Sequence, residues 1–495
     1  MQTARPLTTN SYERHKPEQT VLYKIIQENL ETFLSLVHEE CGRPLPDFIE
    51  KEFREYLKCG VLAHGFLRTK CESCCHESLV AFSCKRRGFC PSCGGRRMSE
   101  SAIHLVDEVL PIKPIRQWVL SFPFQIRLLL AIRPKIMREV LNIAINTVSS
   151  HLCKKAGFKN STAKTGAVTL IQRFGGSINL NVHFHMLFLN GVYELDNDDK
   201  PSKFHITNTP TINELGEVLD KIIKRITKLL EKQGIITRDI NSHLQINLTE
   251  DDSLAKLQAG AVTYRFALGP NKGKKALTLR VLPETDHTAN KGLVAKSCGF
   301  SLHAGVSMTG GERDKIEKLC RYIARPAVAL ERLSLNSRNQ VVYNLKKPYD
   351  DGTTHIVMTP LELLERLAAI VPRPRVHLTR FSGVFGPHYT YRTLIVPKPK
   401  VIQQIVPSEK PHDTVGTNSR ISWAKLLKRV FNVDVEICHK CGGQNKIISA
   451  IEDPKVIKKI LTHLNLPTTP PTPWPARGPP HSHDHFNQHN HFDLA

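Results

Sequence analysis

The sequence predicts an α+β protein: a mostly antiparallel sheet with flanking helices, preceded by a small cysteine zinc-binding domain. Three observations predict it. Two Cys-x-x-Cys pairs, Cys71/Cys74 and Cys90/Cys93, stand near the start of the 495-residue chain. The segments after them alternate between two-residue and three-to-four-residue apolar periods, in the order strand, helix, strand, strand, helix, strands, helix. One of those strands, residues 181–189, carries His183 and His185 two positions apart.

Residues 21–37 and 48–57 carry apolar side chains at helical spacings. Six of the thirteen cysteines then fall between Cys71 and Cys93, a density that in an intracellular chain means metal rather than disulfides. Residues 116–127 read as a strand and 133–156 as a helix ended by Gly157. A strand at 168–174 and a turn at Gly175-Gly176 lead into the histidine strand. Residues 213–233 form an amphipathic helix. Strands are expected at 261–268, 276–282 and 300–306, then a helix over 312–324. From 372 the chain is proline- and loop-rich, with a basic stretch at 422–431 ahead of Cys438-x-x-Cys441. The end, from Pro467, is Pro-rich and then His-rich and reads as disordered. The expected organisation is 1–110 helical plus zinc-binding, 111–335 catalytic, 336–466 basic with the second knuckle, and 467–495 tail.

A formal charge of +23 with pI ≈ 9.5 points to a polyanion, nucleic acid first, through phosphate neutralisation. The cations are clustered, at Lys85-Arg86-Arg87 with Arg96-Arg97, at 272–275, at 373–375 and at 425–429. No apolar run of about 20 residues could span a bilayer. The polar N-terminus lacks the apolar stretch of a secretory signal, so a soluble, cytoplasmic protein is expected.

Two knuckles close in sequence can supply four thiolates to a tetrahedral, structural zinc, here Cys71, Cys74, Cys90 and Cys93. Cys75, His76 and Cys84 are possible substitutes. Cys438 and Cys441 make a second knuckle without an obvious second pair; His439 and His463 are the nearby candidates. The zinc would set Lys85, Arg86, Arg87, Arg96 and Arg97 on a DNA-facing surface. In the histidine strand, residues two apart share a face, so His183 and His185 can converge on one ion while Val182, Phe184, Met186 and Phe188 enter a core. In the 312–324 helix, Ile316, Leu319, Cys320 and Ile323 form one stripe. At about 100° per residue, Tyr322 lies off that stripe, beside Lys315, Lys318 and Arg325. A phenol among cations loses its proton more readily, and the cations, Arg321 included, attract a phosphodiester.

These residues resemble the HUH single-strand endonucleases, and more narrowly the rolling-circle insertion-sequence transposases of the common-region subgroup. The resemblance runs over about 22–466 and includes the cysteine block, 181–191 (NVHFHMLFLNG), 299–304 (GFSLHA), 319–326 (LCRYIARP) and the Cys438-x-x-Cys-Gly-Gly segment. It implies an HUH-like sheet and a Mg²⁺ or Mn²⁺ held by His183 and His185. It implies Tyr322 as nucleophile and single-stranded DNA at element ends and target as substrate. It also implies a bacterial, nucleoid-associated setting and no small-molecule substrate. Gln172 and His303 are both candidates for a third ligand. Two-tyrosine relatives carry a second tyrosine one turn earlier; Lys318 stands there, which implies a single-tyrosine enzyme. A replication initiator would share the chemistry. A non-catalytic zinc-finger regulator would explain the charge and cysteines but not the histidine strand or the off-stripe tyrosine.

Overall fold

The computed structural model describes residues 14–238, 244–246, 253–280, 292–349, 351–397, 437, 438 and 440–478. The basic stretch 422–431 and the histidines at 481–491 lie outside the described residues.

The chain opens with α1 (Val21–Cys41) and α2 (Asp47–Lys58), as their periodicity predicts. The Thr20 hydroxyl caps α1 by accepting from the Tyr23 N–H, and Gly42, in the left-handed region at φ 67°, ends it. The hairpin β1 (Phe66–Cys71) and β2 (Glu77–Ala81) carries the first cysteine pair; α3 (Pro91–His104) starts at the second. β3 (Ile115–Ser121) follows. The strand expected over 116–127 stops at Ser121, because Pro123 has no N–H for a ladder and instead opens α4 (Phe124–Ile132). α5 (Pro134–Lys155) comes next.

β4 (Ala163–Lys164) and β5 (Gly166–Phe174) precede the histidine strand, β6 (Leu180–Leu189). β7 (Gly191–Leu195), β8 (Pro201–Ile206) and α6 (Ile212–Lys232) follow, α6 started by a Thr211/Glu214 capping box. Next are β9 (Ile236–Arg238), β10 (Leu244–Ile246) and α7 (Ser253–Val262). The strand expected at 261–268 is absent: 261–262 finish α7, whose Leu254, Leu257 and Ala261 are buried at helical spacing, and Tyr264 turns the chain at φ 62°. The apolar run there has too few residues to separate the two periods.

β11 (Leu277–Arg280), β12 (Val294–Ser297), β13 (Phe300–Met308) and α8 (Arg313–Ile323) complete the expected order. Beyond them lie β14 (Leu333–Leu335), β15 (Val341–Asn344), β16 (Thr353–Met358), α9 (Pro360–Ile370), β17 (Thr379–Gly383), α10 (Arg392–Ile395), β18 (Asn445–Ile451) and α11 (Pro454–His463).

The central sheet is antiparallel, in the order β12-β13-β3-β6-β5-β17, with β6 flanked on both sides. One face sends Trp118, Phe184, Met186 and Phe188 into a core shared with Leu129 of α4 and Val140, Leu141 and Ala144 of α5. All four sheet side chains are fully buried, each worth about 1.5–3 kcal/mol in transfer terms. The other face packs Leu170, Leu187 and Leu189 against Ile316, Cys320 and Ile323 of α8 and Ala102 of α3. Helix α8 therefore lies on the face that carries the histidines.

Two expected boundaries move. β17 belongs to the central sheet, so that unit extends past residue 335. β18 pairs with β1, so the N-terminal and C-terminal regions share one sheet. Part of the tail expected to be disordered is docked: Gln27 Nε2 donates to Thr472 O at 2.9 Å, Trp474 N to Gln27 O at 2.9 Å, and Arg477 Nη2 to Glu28 O at 2.8 Å. Proline lowers the entropy cost of holding such an extended segment against α1. Among the described residues, no helix is long and apolar enough to cross a membrane.

Candidate active site

Strand alternation puts His183 and His185 on one face, both at least nine-tenths buried, with ring centroids 4.8 Å apart. His183 Nδ1 donates to the Asn181 carbonyl at 2.8 Å, which leaves Nε2 as its free lone pair. Gln117 Nε2 lies 2.8 Å from His185 Nδ1; turning that amide over would bring its oxygen to the ring, so that Nδ1 donates and Nε2 carries the free lone pair. Such a partner on the far ring nitrogen is what a metal-binding imidazole uses to fix its orientation. Burial, helped by the charges of Arg127 and Arg325, pushes His183 down to about 4. Burial, with His183 and Arg325, pushes His185 down to about 3. Both are neutral near pH 7 and able to donate to a cation.

Of the two candidate third ligands, Gln172 is directly opposite His183 in the β5–β6 ladder. Its Nε2 donates to Ile323 O at 2.9 Å, filling one of the carbonyls that the end of α8 leaves open. The amide oxygen thus stays available on the histidine face. His303 pairs with Val119, and β3 separates its strand from β6. Its backbone is thus two strand spacings, about 9–10 Å, from the histidine strand, whereas Gln172 and His183 are direct cross-strand neighbours.

Tyr322, 47% exposed, sits off the buried Ile316–Cys320–Ile323 stripe as its position in the sequence implies. The Arg325 guanidinium stacks 4.5 Å from its ring centroid and Lys346 Nζ lies 5.1 Å away. Burial acts to raise the phenol. Arg325, as hydrogen-bond donor and as charge, together with Lys346 and Lys347, outweighs it and brings the group below its ordinary value. Of the other expected cations, Lys315 pairs with Glu312 and Arg321 with Glu317 at 2.5 Å each, and Lys318 is exposed. Arg325 acts on both histidines as well as on Tyr322, so it is the residue common to the two halves of the site.

Helix α8 is fixed from behind. Arg313 donates to the carbonyls of Val106 and Leu110, and Gly94 of α3 sits so close to the turn after α8 that a Cβ there would lie 2.7 Å from Pro326 Cβ. At the rim, Phe124 is 44% exposed, with Tyr264 edge-on at 6.2 Å and Arg127 over its ring at 5.0 Å. Gln117, Lys346 and this aromatic pair have no mark in the sequence, since cross-strand register and loop placement bring them in.

The cysteines form two groups, and not the expected one. Cys90 and Cys93 meet Cys59 and Cys84; Cys71 and Cys74 meet Cys438 and Cys441. Within each group the sulfurs lie within 4.8 Å of one another. Hydrogen bonds among the crowded thiols push Cys59 and Cys93 down and Cys84 and Cys90 up. Cys75 and His76 belong to neither group, and Cys84, a possible substitute by sequence, belongs to one. The second pair for the C-terminal knuckle is Cys71/Cys74 rather than a histidine. Several of the expected DNA-facing cations have partners within the chain: Arg97 donates to Arg86 O and Lys85 O at 3.1 Å, Arg87 to Val376 O at 2.7 Å, and Arg96 pairs with Glu100. Arg97 braces the cysteine loop, and Lys85 and Arg87 stay exposed.

Comparison with known families gives two matches. Residues 25–122 match the Zn_Tnp_IS91 transposase zinc-binding domain, and residues 166–391 match the Y2_Tnp transposase family. Searches of curated proteins and of solved structures returned no match. The first match spans one cysteine group and half of the other, in keeping with structural zinc; the second spans the histidine strand, Gln172 and Tyr322. The chain belongs to the IS91-type transposases, with a zinc-binding domain ahead of the transposase domain.

Proposed function

We propose that the transposase acts as a metal-dependent tyrosine nuclease and strand transferase on single-stranded DNA at the ends of its insertion element. The observation that carries this reading is the Gln172 bridge: one side chain opposite His183 holds the end of the helix that bears Tyr322. His183 Nε2, His185 Nε2 and Gln172 Oε1 would hold Mg²⁺ or Mn²⁺, the mixed nitrogen and oxygen set tilting towards Mn²⁺. The bound ion would polarise a non-bridging oxygen of the scissile phosphate.

Everything else falls to the chain's own groups. Arg325 and Lys346 draw the phosphate to Tyr322 and ease loss of the phenol proton to solvent. Tyr322 Oη bonds to phosphorus; the bond from phosphorus to the 3′ oxygen breaks, and that oxygen leaves as a 3′-hydroxyl after taking up a proton. The product is a 5′-phosphotyrosine, which keeps the phosphodiester energy for rejoining to a 3′-hydroxyl. With Lys318 one turn before Tyr322, each subunit carries a single nucleophile on this helix. Phe124 and Tyr264 offer ring faces on which unpaired bases stack, at about 1–3 kcal/mol per base.

The test uses oligonucleotides carrying the element's termini, with titrated Mn²⁺. Gln172→Ala is expected to raise the Mn²⁺ concentration for half-maximal cleavage at least 10-fold, and His303→Ala to leave it within about 2-fold. The reverse ranking, or cleavage unaffected by chelator, would contradict the ligand set.

A further inference from the structure

The zinc-binding family match ends at residue 122, yet two of the eight clustered cysteines lie more than 300 residues further on. We propose that Cys71, Cys74, Cys438 and Cys441 form a second tetrathiolate zinc site, separate from Cys59/Cys84/Cys90/Cys93, which clasps the C-terminal region onto the N-terminal domain.

The sulfur geometry is that of a shared ion. Cys71 and Cys441 sulfurs are 3.5 Å apart and Cys74 and Cys438 sulfurs 3.6 Å. Four sulfurs about 2.3 Å from a tetrahedral zinc are about 3.8 Å from one another, whereas a disulfide would need about 2.05 Å.

The two knuckles are also built alike, which neither spacing nor sulfur distance requires. In the first, Cys75 N donates to Cys71 O at 3.0 Å and Cys71 N to His76 O at 2.8 Å. In the second, Gly442 N donates to Cys438 O at 2.9 Å and Cys438 N to Gly443 O at 2.7 Å. The fifth residue of each turn is left-handed, Cys75 at φ 58° and Gly442 at φ 74°. A non-glycine residue in that region carries strain, so the turn at Cys75 is held by its surroundings. Two copies of one turn, facing each other with four sulfurs between them, make the two halves of a ribbon-type site.

The frame around them fits the same role. β1 runs into one knuckle and β18 out of the other, paired antiparallel from Cys71 opposite Asn445 to Phe66 opposite Ile451. α11 then covers the sheet, with Ile457 and Leu461 buried against Phe66. That small core is too slight to hold the chain ends alone, as small domains commonly need a metal. Gly443 is required by the approach: a Cβ there would stand 2.3 Å from Ser73 Oγ and 3.1 Å from Cys71 Sγ. The transposase domain is therefore an insertion between the two halves of a zinc ribbon.

The test is the zinc content of the purified full chain, with differential alkylation of its cysteines read by mass spectrometry. Two zinc ions per chain are expected, falling to one in Cys438→Ser/Cys441→Ser. In the unmutated protein, Cys71, Cys74, Cys438 and Cys441 should become reactive together as chelator is raised, on a curve separate from that of Cys59, Cys84, Cys90 and Cys93. Alkylation needs no variant to fold, and neither readout depends on DNA cleavage. One zinc per chain in the unmutated protein, two retained in the double variant, or Cys438 and Cys441 reactive while Cys71 and Cys74 stay protected would each overturn the proposal.

Discussion

His183→Ala/His185→Ala is expected to lose at least about 10³-fold in single-strand cleavage while keeping both cysteine groups and the cooperative unfolding of the chain. A metal ion at a scissile phosphate supplies several kcal/mol of transition-state stabilisation, and each 1.36 kcal/mol is a factor of ten. Both rings lie on the face towards α8, opposite the Phe184–Phe188 core, so truncating them leaves the larger core intact. DNA affinity should change little, because the cations that meet phosphate are on other elements. The measurement is single-turnover cleavage of terminal oligonucleotides in Mn²⁺, with zinc content and thermal unfolding as controls. Cleavage retained within 10-fold would remove the histidines from the chemistry.

Arg325→Ala should cost about 10²–10³-fold, the loss seen when one preorganised charge donor is taken from a phosphate or oxyanion site. It should also move the pH profile, and the sign follows from the direction of the Tyr322 shift. In the native site the phenol lies below its ordinary value because Arg325, Lys346 and Lys347 outweigh burial. Removing Arg325 leaves burial opposed only by the lysines, so the group rises. The rate, which grows with the deprotonated fraction, then climbs at higher pH than in the native enzyme. Lys346→Met should shift the limb the same way by less, since its ammonium is 5.1 Å from the ring rather than 4.5 Å. A uniform loss at every pH would assign Arg325 to phosphate binding alone.

Much of the site was legible because its parts lie on regular elements with short periods. Alternation in 181–189 separates His183 and His185 from Val182, Phe184, Met186 and Phe188, and the structure buries the latter four in one core. The helical period places Tyr322 outside the Ile316–Cys320–Ile323 stripe. What a period cannot supply is which element meets which. Gln172 and His303 are equal candidates by period alone; sheet order sets Gln172 on the strand next to His183 and leaves β3 between His303 and that strand. Cys-x-x-Cys spacing announces a knuckle but not its partner, so adjacent pairs looked like one site when each belongs to another. Cys59 was invisible for a further reason: between Leu57 and Val61 it reads as a small core residue. Charge in a sequence also does not tell a phosphate from a backbone carbonyl: Arg87 and Arg97, beside the cysteines, donate to carbonyls. Lys346 was missed because a loop, not a helix face, carries it to Tyr322.

The most direct measurement of the central claim is denaturing gel electrophoresis of the full chain with end-labelled single-stranded terminal DNA and Mn²⁺, the label 3′ of the scissile phosphate. A covalent protein–DNA band is expected in the unmutated enzyme and none in Tyr322→Phe, whose fold and zinc content should be unchanged. An adduct that persists in Tyr322→Phe would place the nucleophile elsewhere, and tight binding of verified ends without any adduct would make the chain a DNA-binding protein rather than a tyrosine nuclease.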